Sequence, residues 1–228
     1  MNKHNFIIII PARKGSKGLP NKHLLKIGKL KLIEYTFLEV SKLKKIKSFV
    51  FSNDKTILKL SRKYKINSEI NRSSKVSKST SSMLETLLEF CHKIKKKNID
   101  FNYLILLQPT SPIRTIHDIK KAIQVFIDGN FSSLSSISES LEHPYEALYR
   151  QKNYYKFFFE KGKKTTRRQE FDKKSFFLNG SIFIIKKSLI LNKKLIDKKN
   201  HKYFLMKKVN SFDINDNEDF EIVKRILS

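Results

Sequence analysis

Four basic side chains, Arg13, Lys14, Lys17 and Lys22, lie within ten positions near the start of the chain. Gly15 and Gly18 sit among them, and glycine lets a backbone turn sharply and approach a ligand closely. Cations on such a loop make an anion cradle, and a phosphate chain is the anion that suits it. Two common phosphate loops do not account for it. The P-loop needs glycines five positions apart followed by Lys and Ser/Thr, whereas these are three apart and Leu19-Pro20 follows. The dinucleotide fingerprint needs a third glycine that is absent here. A second polar cluster is Gln108-Pro109-Thr110-Ser111-Pro112-Ile113-Arg114, in which two prolines stiffen the turn that presents Gln108, Thr110 and Ser111. A third is acidic, from Ser211 to Asp219. In an extended segment Asp213 and Asn215 share one face, and oxygen ligands on one face suit Mg²⁺. Asp216 or Asn217 would equally cap a following helix, with Asp219 in its first turn.

The elements around these clusters alternate. Ile7 to Ile10 is a β-branched run that reads as a buried strand. Further strands are expected at about 49–52, 103–107, 132–137 and 181–186, and helices at about 32–44, 55–64, 81–96, 116–127 and 217–227. Met83, Leu84, Leu87, Leu88, Cys91 and Ile94 give the third helix its apolar side. Strands alternating with helices argue for an α/β fold with a mostly parallel sheet. Such sheets bind ligands beyond the carboxyl ends of their strands. The glycine loop, Ser52-Asn53-Asp54 and Gln108-Pro109-Thr110-Ser111 all fall at such ends. The stretch 139–177 breaks the alternation with a basic, aromatic run that includes Tyr154, Tyr155, Phe157, Phe158 and Phe159, and reads as a hairpin-like excursion.

At 228 residues the chain reads as one domain with room for a full core. No apolar stretch is long enough to cross a membrane. The first strand starts almost at Met1, leaving no room for a signal peptide, and a single cysteine, Cys91, suits a reducing cytoplasm. The formal net charge of +27 raises the possibility of a nucleic-acid-binding module. Yet 40 of the 48 basic residues are lysine, and nucleic-acid surfaces also favour the bidentate fork of arginine. Abundant Lys, Ile, Asn and Phe with scarce Gly, Ala and Pro read as the codon bias of an AT-rich genome.

The motifs resemble those of the acylneuraminate cytidylyltransferases, the CMP-sialic acid synthetase family. Its opening signature, A-R-x-x-S-K-G-L-P-x-K-N, is matched from Ala12 to Lys22, with His23 in the last place. Synthetases for the eight-carbon sugar Kdo carry a loop more like A-R-x-x-S-x-R-L-P-x-K, so Lys17-Gly18 favours the nine-carbon branch. The family's L-Q-P-T-S-P-x-R matches Leu107 to Arg114, and its N-G-A-I-Y-I resembles Asn179 to Ile184. Its R-Q resembles Arg168-Gln169, and its H-P resembles His143-Pro144. The family's D-x-D appears as Asp213 and Asn215, which keeps an oxygen and loses a charge, and an arginine common two residues before the Asn is Phe177 here.

The resemblance implies a three-layer, Rossmann-like nucleotidyltransferase domain with a small protruding dimerisation excursion. It implies transfer of CMP from CTP to an acidic nine-carbon, sialic-type sugar by a cytoplasmic homodimer, with Mg²⁺ held by Asp213 and Asn215. Arg13 and Lys22 would be catalytic. Ala12, Arg13, Gly15, Ser16, Gly18, Lys22 and Ser82 would hold the nucleotide, and Gln108, Thr110, Ser111, Arg168, Gln169, Asn179 and Phe183 the sugar. Arg114 would buttress its loop. Pseudaminic or legionaminic acid as the sugar, or GTP as the nucleotide, stays open. So does a basic RNA-binding module, or a relative inactivated at Asn215. The reading gives the protein no specific nucleic-acid partner and no membrane.

Overall fold

Strand β1 (Phe6–Ala12) shows why the isoleucine run matters. Successive side chains of a strand point to opposite faces. Ile8 and Ile10 enter one core, with Ile105, Leu107, Ile182 and Ile184, while Ile7 and Ile9 enter another, with Phe49, Phe51, Leu104 and Leu106. A strand covered on both faces has no polar side, so its sequence is continuously apolar. The computed structural model describes residues 5–15, 18–160, 167, 171 and 173–227.

After β1 come a two-residue hairpin, β2 (Lys26–Ile27) and β3 (Leu30–Lys31), then α1 (Leu32–Ser41), β4 (Lys47–Ser52) and α2 (Lys55–Arg62). Next are α3 (Met83–Lys95), β5 (Tyr103–Leu107), α4 (Ile116–Asp128) and β6 (Ser133–Glu139). The second half holds β7 (Leu148–Gln151), β8 (Tyr154–Phe157), β9 (Phe176–Lys186), α5 (Lys187–Leu191), β10 (His201–Leu205) and α6 (Asn217–Leu227). The main sheet has six strands in the order β10-β6-β9-β5-β1-β4. β1 runs parallel to β4 and β5, β10 runs parallel to β6, and β9 is antiparallel to both of its neighbours. Helices cover both faces, which makes the expected three layers. Among the described residues no helix is long and apolar enough to cross a membrane.

β9 begins at Phe176, five residues before the expected strand. Its first half pairs with β6 alone, through Phe177↔Ser138 and Leu178↔Ile137, and its second half is clamped between β5 and β6. The stretch before it contains the β7–β8 hairpin, whose Tyr155 and Phe158 are 67% and 63% exposed. β10 was not anticipated from the sequence. Only Phe204 of its five residues is buried, so this edge strand carries no apolar alternation. A third apolar cluster unites Ile27, Leu32, Ile214, Phe220 and Val223, with Leu19 packed against it. It fastens the glycine loop to the segment carrying Asp213, about 200 residues later in the chain.

Candidate active site

The glycine loop leaves the carboxyl end of β1 and is held from both sides. The Lys14 amide donates to Asn53 Oδ1 at 2.8 Å, just beyond β4. Ala12 is fully buried and offers only its backbone. Gly15 takes φ +76°, a left-handed conformation that side chains disfavour, with open space where a side chain would stand. Ser16, expected to hold phosphate, lies outside the described residues. A Cβ on Gly18 would sit 2.9 Å from the carbonyl oxygen of Asn215, so only glycine fits without displacing that strand of backbone. Lys22 closes the loop by donating from Nζ to the carbonyls of Ile214 at 2.6 Å and Asn215 at 3.0 Å. Burial lowers its pKa, and the charges of Asp213, Asp219 and Asp216 oppose that while Arg13 adds to it. Lys22 is therefore both a cation in the loop and a tether to the acidic segment.

Asp213 rests on the proline-stiffened turn. Ser111 Oγ donates to Asp213 Oδ1 at 3.3 Å, and the amide of Ile214 donates to the carbonyl of Thr110 at 2.9 Å. Burial raises the carboxyl's pKa, and the Thr110 and Ser111 hydroxyls and the Lys22 ammonium pull it back. Ser111 is wholly buried. This corrects the expectation that Ser111 contacts a sugar, because its hydroxyl has no open side and is spent on Asp213. Arg114 lies beneath, 2% exposed, donating from Nη1 to the carbonyls of Gln108 at 3.2 Å and Ser181 at 2.8 Å, and from Nη2 to Thr36 Oγ1 at 3.0 Å. It ties the turn to β9 and α1. Further along, Asp219 accepts from the amide of Asn215 at 2.8 Å, and Asp216 Oδ1 accepts from the amide of Asp219 at 3.0 Å. Asp216 is thereby committed to capping α6.

Between these parts and the excursion lies a cleft of about 750 Å³, whose walls include Asp213, Asn215, Asn179, Gly180, His143 and Phe177. Asn179 is 7% exposed; its Nδ2 donates to Ser211 Oγ at 2.9 Å, and its Oδ1 accepts from Ser136 Oγ at 2.5 Å and from the amide of Ser181 at 3.1 Å. Both ends of its amide are thus engaged, and it shapes the wall. Gly180 has φ +69°, and a Cβ there would meet Gln108 Nε2 at 3.3 Å, so Gln108 lies over this glycine. His143 accepts from the amide of Tyr145 at 3.2 Å and stacks on Phe171 with ring centres 4.3 Å apart.

Phe183 does not reach this cleft. It packs on the second core beside Ile185 and α5, because its place in β9 aims it at the opposite sheet face from Ile182 and Ile184. Arg168 and Gln169 lie outside the described residues. Ser82 caps α3, its Oγ accepting from the amide of Glu85 at 3.1 Å, while its carbonyl accepts from Thr86 Oγ1 at 3.0 Å.

Two residues beside the loop were missed from the sequence. Arg72, 8% exposed, donates from Nε to the carbonyl of Val76 at 3.0 Å and from Nη2 to Thr86 Oγ1 at 2.9 Å. Burial and then the charge of Arg13 push its pKa down to about 10, so it stays cationic beside the loop at neutral pH. Its signal was scarcity: an arginine in a chain whose basic residues are nearly all lysine. The other is His23, whose pKa is pushed down to about 4 by burial, then by Lys22. The carbonyl of Arg13 and the carboxylate of Asp54 raise it, and the Arg13 charge lowers it. Above pH 6.5 the ring is neutral folded or unfolded. Between pH 6.5 and about 4 the unfolded chain takes a proton that the folded chain refuses, so stability falls as pH falls. We expect a loss of up to about 3 kcal/mol over that window, and a shallower decline in His23→Asn. Urea denaturation at stepped pH measures it, and parallel pH profiles for the two proteins would refute it.

A mostly parallel sheet that brings a cationic glycine loop, a proline-stiffened turn and a half-buried carboxylate to one edge defines a nucleotidyltransferase-like site. The sequence profile of the family described as cytidylyltransferase matches residues 7–226, and the chain belongs to that family. It is 30% identical over 221 residues to the CMP-N,N'-diacetyllegionaminic acid synthase of Campylobacter jejuni, covering 96% of this chain and 93% of that one. It is 28% identical over 220 residues, with the same coverage, to the post-translational flagellin modification protein B of Campylobacter coli. Among solved structures, CMP-2-keto-3-deoxy-manno-octonic acid synthetase complexed with CTP superposes with a TM-score of 0.69 at 16% identity, covering 97% of this chain and 98% of that one. That likeness establishes the fold.

Proposed function

We propose that this enzyme transfers CMP from CTP to a nonulosonic acid, releasing pyrophosphate. The observation that carries the reading is the joining of the glycine loop to the acidic segment through Lys22, which sets the loop's cations against the segment whose Asp213 and Asn215 line the sugar-sized cleft. The anomeric hydroxyl oxygen bonds to the α-phosphorus and loses its proton to water, while the bond from that phosphorus to the bridging oxygen breaks and pyrophosphate leaves. The chain's part is positioning and charge neutralisation. Arg13 and Lys22 stabilise the triphosphate and the departing pyrophosphate, with Arg72, which feels the Arg13 charge, adding positive potential. Gly15, Ser16 and Gly18 let the loop close on the phosphates, and Ser82 borders the nucleotide. Gln108 forms the edge facing the sugar and Asn179 shapes its wall, whereas Thr110, expected to face the sugar, has its hydroxyl oxygen buried and serves through its carbonyl, which holds the Ile214 amide. Arg168 and Gln169 are assigned to the sugar on resemblance alone.

Asp213 with Asn215 fits Mg²⁺. Asp213 and Asn215 both line the cleft, contributing one carboxylate and one amide. That donor set suits an ion that takes its remaining oxygens from phosphate and water. Bound there, Mg²⁺ would neutralise phosphate charge and lower the pKa of the attacking hydroxyl. Asp213→Asn is expected to raise the Mg²⁺ concentration for half-maximal rate at least tenfold; an unchanged metal titration would remove the assignment.

The exposed aromatics of the hairpin support a homodimer, and sedimentation as a monomer at micromolar concentration would count against it. We assign the enzyme to the cytoplasm, where CTP is made. The reading as a whole is tested by pyrophosphate release from CTP, or GTP, with a panel of sugar acids. Release only with CTP and a nine-carbon sugar acid is expected. No release with any pair, together with tight, salt-sensitive RNA binding, would replace it with the binding-module reading.

A further inference from the structure

Strand β4 ends at Ser52, and its parallel register with β1 sets Ala12 beside Ser52. Asn53 therefore emerges beside the first residues of the glycine loop, where its side-chain oxygen accepts the Lys14 amide at 2.8 Å. Its two neighbours are committed. Ser52 Oγ accepts the amide of Asp54 at 3.0 Å, and Asp54 Oδ1 accepts the amides of Thr56 and Ile57 at 2.8 and 3.4 Å, capping α2. The Ser52 carbonyl accepts the amide of Arg72 at 3.0 Å, so the same junction anchors that second arginine.

His23 approaches the loop from the 3-10 turn Lys22–Leu24. Its ring is buried and faces the Arg13 carbonyl, with the Asp54 carboxylate and the charges of Lys22 and Arg13 around it. The Arg13 carbonyl and the Lys14 N–H belong to one peptide unit. In a trans peptide these two groups point in opposite directions, and no cis peptide occurs among the described residues. Asn53 and His23 therefore meet a single peptide plane at its two edges. The next residue, Gly15, is left-handed with open space where a side chain would stand, so packing does not order it. A glycine-bearing loop loses much freedom when it closes on phosphates, and ordering it beforehand lowers that cost. We propose that Asn53 and His23 are positioning residues that grip the Arg13–Lys14 peptide from opposite edges and order the loop before the nucleotide binds. The inference rests on the reading of this loop as the CTP site and names what prepares it.

The test uses the full chain, with CTP and Mg²⁺ as the probe. Calorimetry gives the dissociation constant for CTP, and NMR hydrogen exchange gives the rate at the Lys14 amide in the free protein. Losing one hydrogen bond shifts an equilibrium by about fivefold. Asn53→Ala is therefore expected to weaken CTP binding about fivefold and to speed Lys14 exchange by a similar factor. Asn53→Asp keeps an accepting oxygen, so Lys14 exchange should return to within about twofold of the parent, a rescue that a general loss of packing would not show. His23→Leu should also weaken CTP binding. Because both side chains hold one peptide, the doubly substituted protein should lose clearly less than the product of the two single effects. An unchanged CTP constant or unchanged Lys14 exchange in Asn53→Ala overturns the proposal alone. So do single effects that multiply in the pair. Failure of CTP to bind the parent protein overturns the synthetase reading and the proposal with it. Asn53 is half-buried, so Asn53→Ala should fold, and its two measurements decide the proposal even if His23→Leu is unstable.

Discussion

Lys22→Ala is expected to lower kcat/KM for CMP-sugar formation by roughly 10²–10³, the loss typical of removing one preorganised group that stabilises developing charge. Two separate contributions vanish together. One is the ammonium charge among the phosphates. The other is the pair of hydrogen bonds, 2.6 and 3.0 Å long, to the carbonyls of Ile214 and Asn215. Without them, among the described residues the loop is fastened to the segment bearing Asp213 by apolar packing through Leu19 and Ile214. Arg13→Ala removes charge without that tether, since no hydrogen bond joins Arg13 to the acidic segment among the described residues. We therefore expect Arg13→Ala to reduce turnover with an unchanged Mg²⁺ titration, and Lys22→Ala to disturb both. Steady-state kinetics at several metal concentrations separate the two. A purified Lys22→Ala protein with near-parental turnover would end the role given to the loop.

Arg114→Met is expected to be the most destabilising single substitution near the site. The guanidinium is fully enclosed and serves acceptors on three different elements: the carbonyl of Gln108, the carbonyl of Ser181 and the hydroxyl of Thr36. Burial pushes its pKa down to about 10, against the pull of Asp118, Glu39 and Asp213, so it remains charged at neutral pH. Methionine fills part of the space but takes the donor away from the buried Ser181 carbonyl and Thr36 hydroxyl, while the Gln108 carbonyl keeps the Ser111 amide at 3.3 Å. Removing one side of such an arrangement costs about 3–5 kcal/mol. For a chain of this size that corresponds to a melting temperature lower by roughly 10 °C. Arg114→Lys should recover little, because one ammonium cannot span three acceptors set by a planar fork. A drop below about 2 °C in Arg114→Met would show that the turn holds without Arg114, through its prolines and its bonds to Asp213 and Ile214.

Much of the fold was legible because its signals are local. The isoleucine run had to be a strand covered on both faces, and β5 and α6 fell where periodicity put them. β10 escaped because an edge strand with one buried side chain has no alternation to detect. Within the site, the glycines, the prolines and the cations announced a phosphate-binding loop and a stiff turn. Their partners did not announce themselves. Ser111 reads as a ligand-facing hydroxyl, yet it is sealed against Asp213, a contact 102 positions away. Phe183 sits in a motif of apparent function and is core, because β9's pairing sets which face it takes.

By itself, then, the sequence determined the alternation of strands and helices, the cationic loop and the family to which its motifs belong. Each of these follows from the backbone preferences and periodicities of neighbouring residues. Only the tertiary structure decided that Lys22 braces the acidic segment, that burial holds His23 against protonation, that Arg72 lies within electrostatic reach of Arg13, and that Phe177 faces a cleft. Those facts depend on desolvation and on pairings between residues far apart in the chain, and no local pattern encodes them.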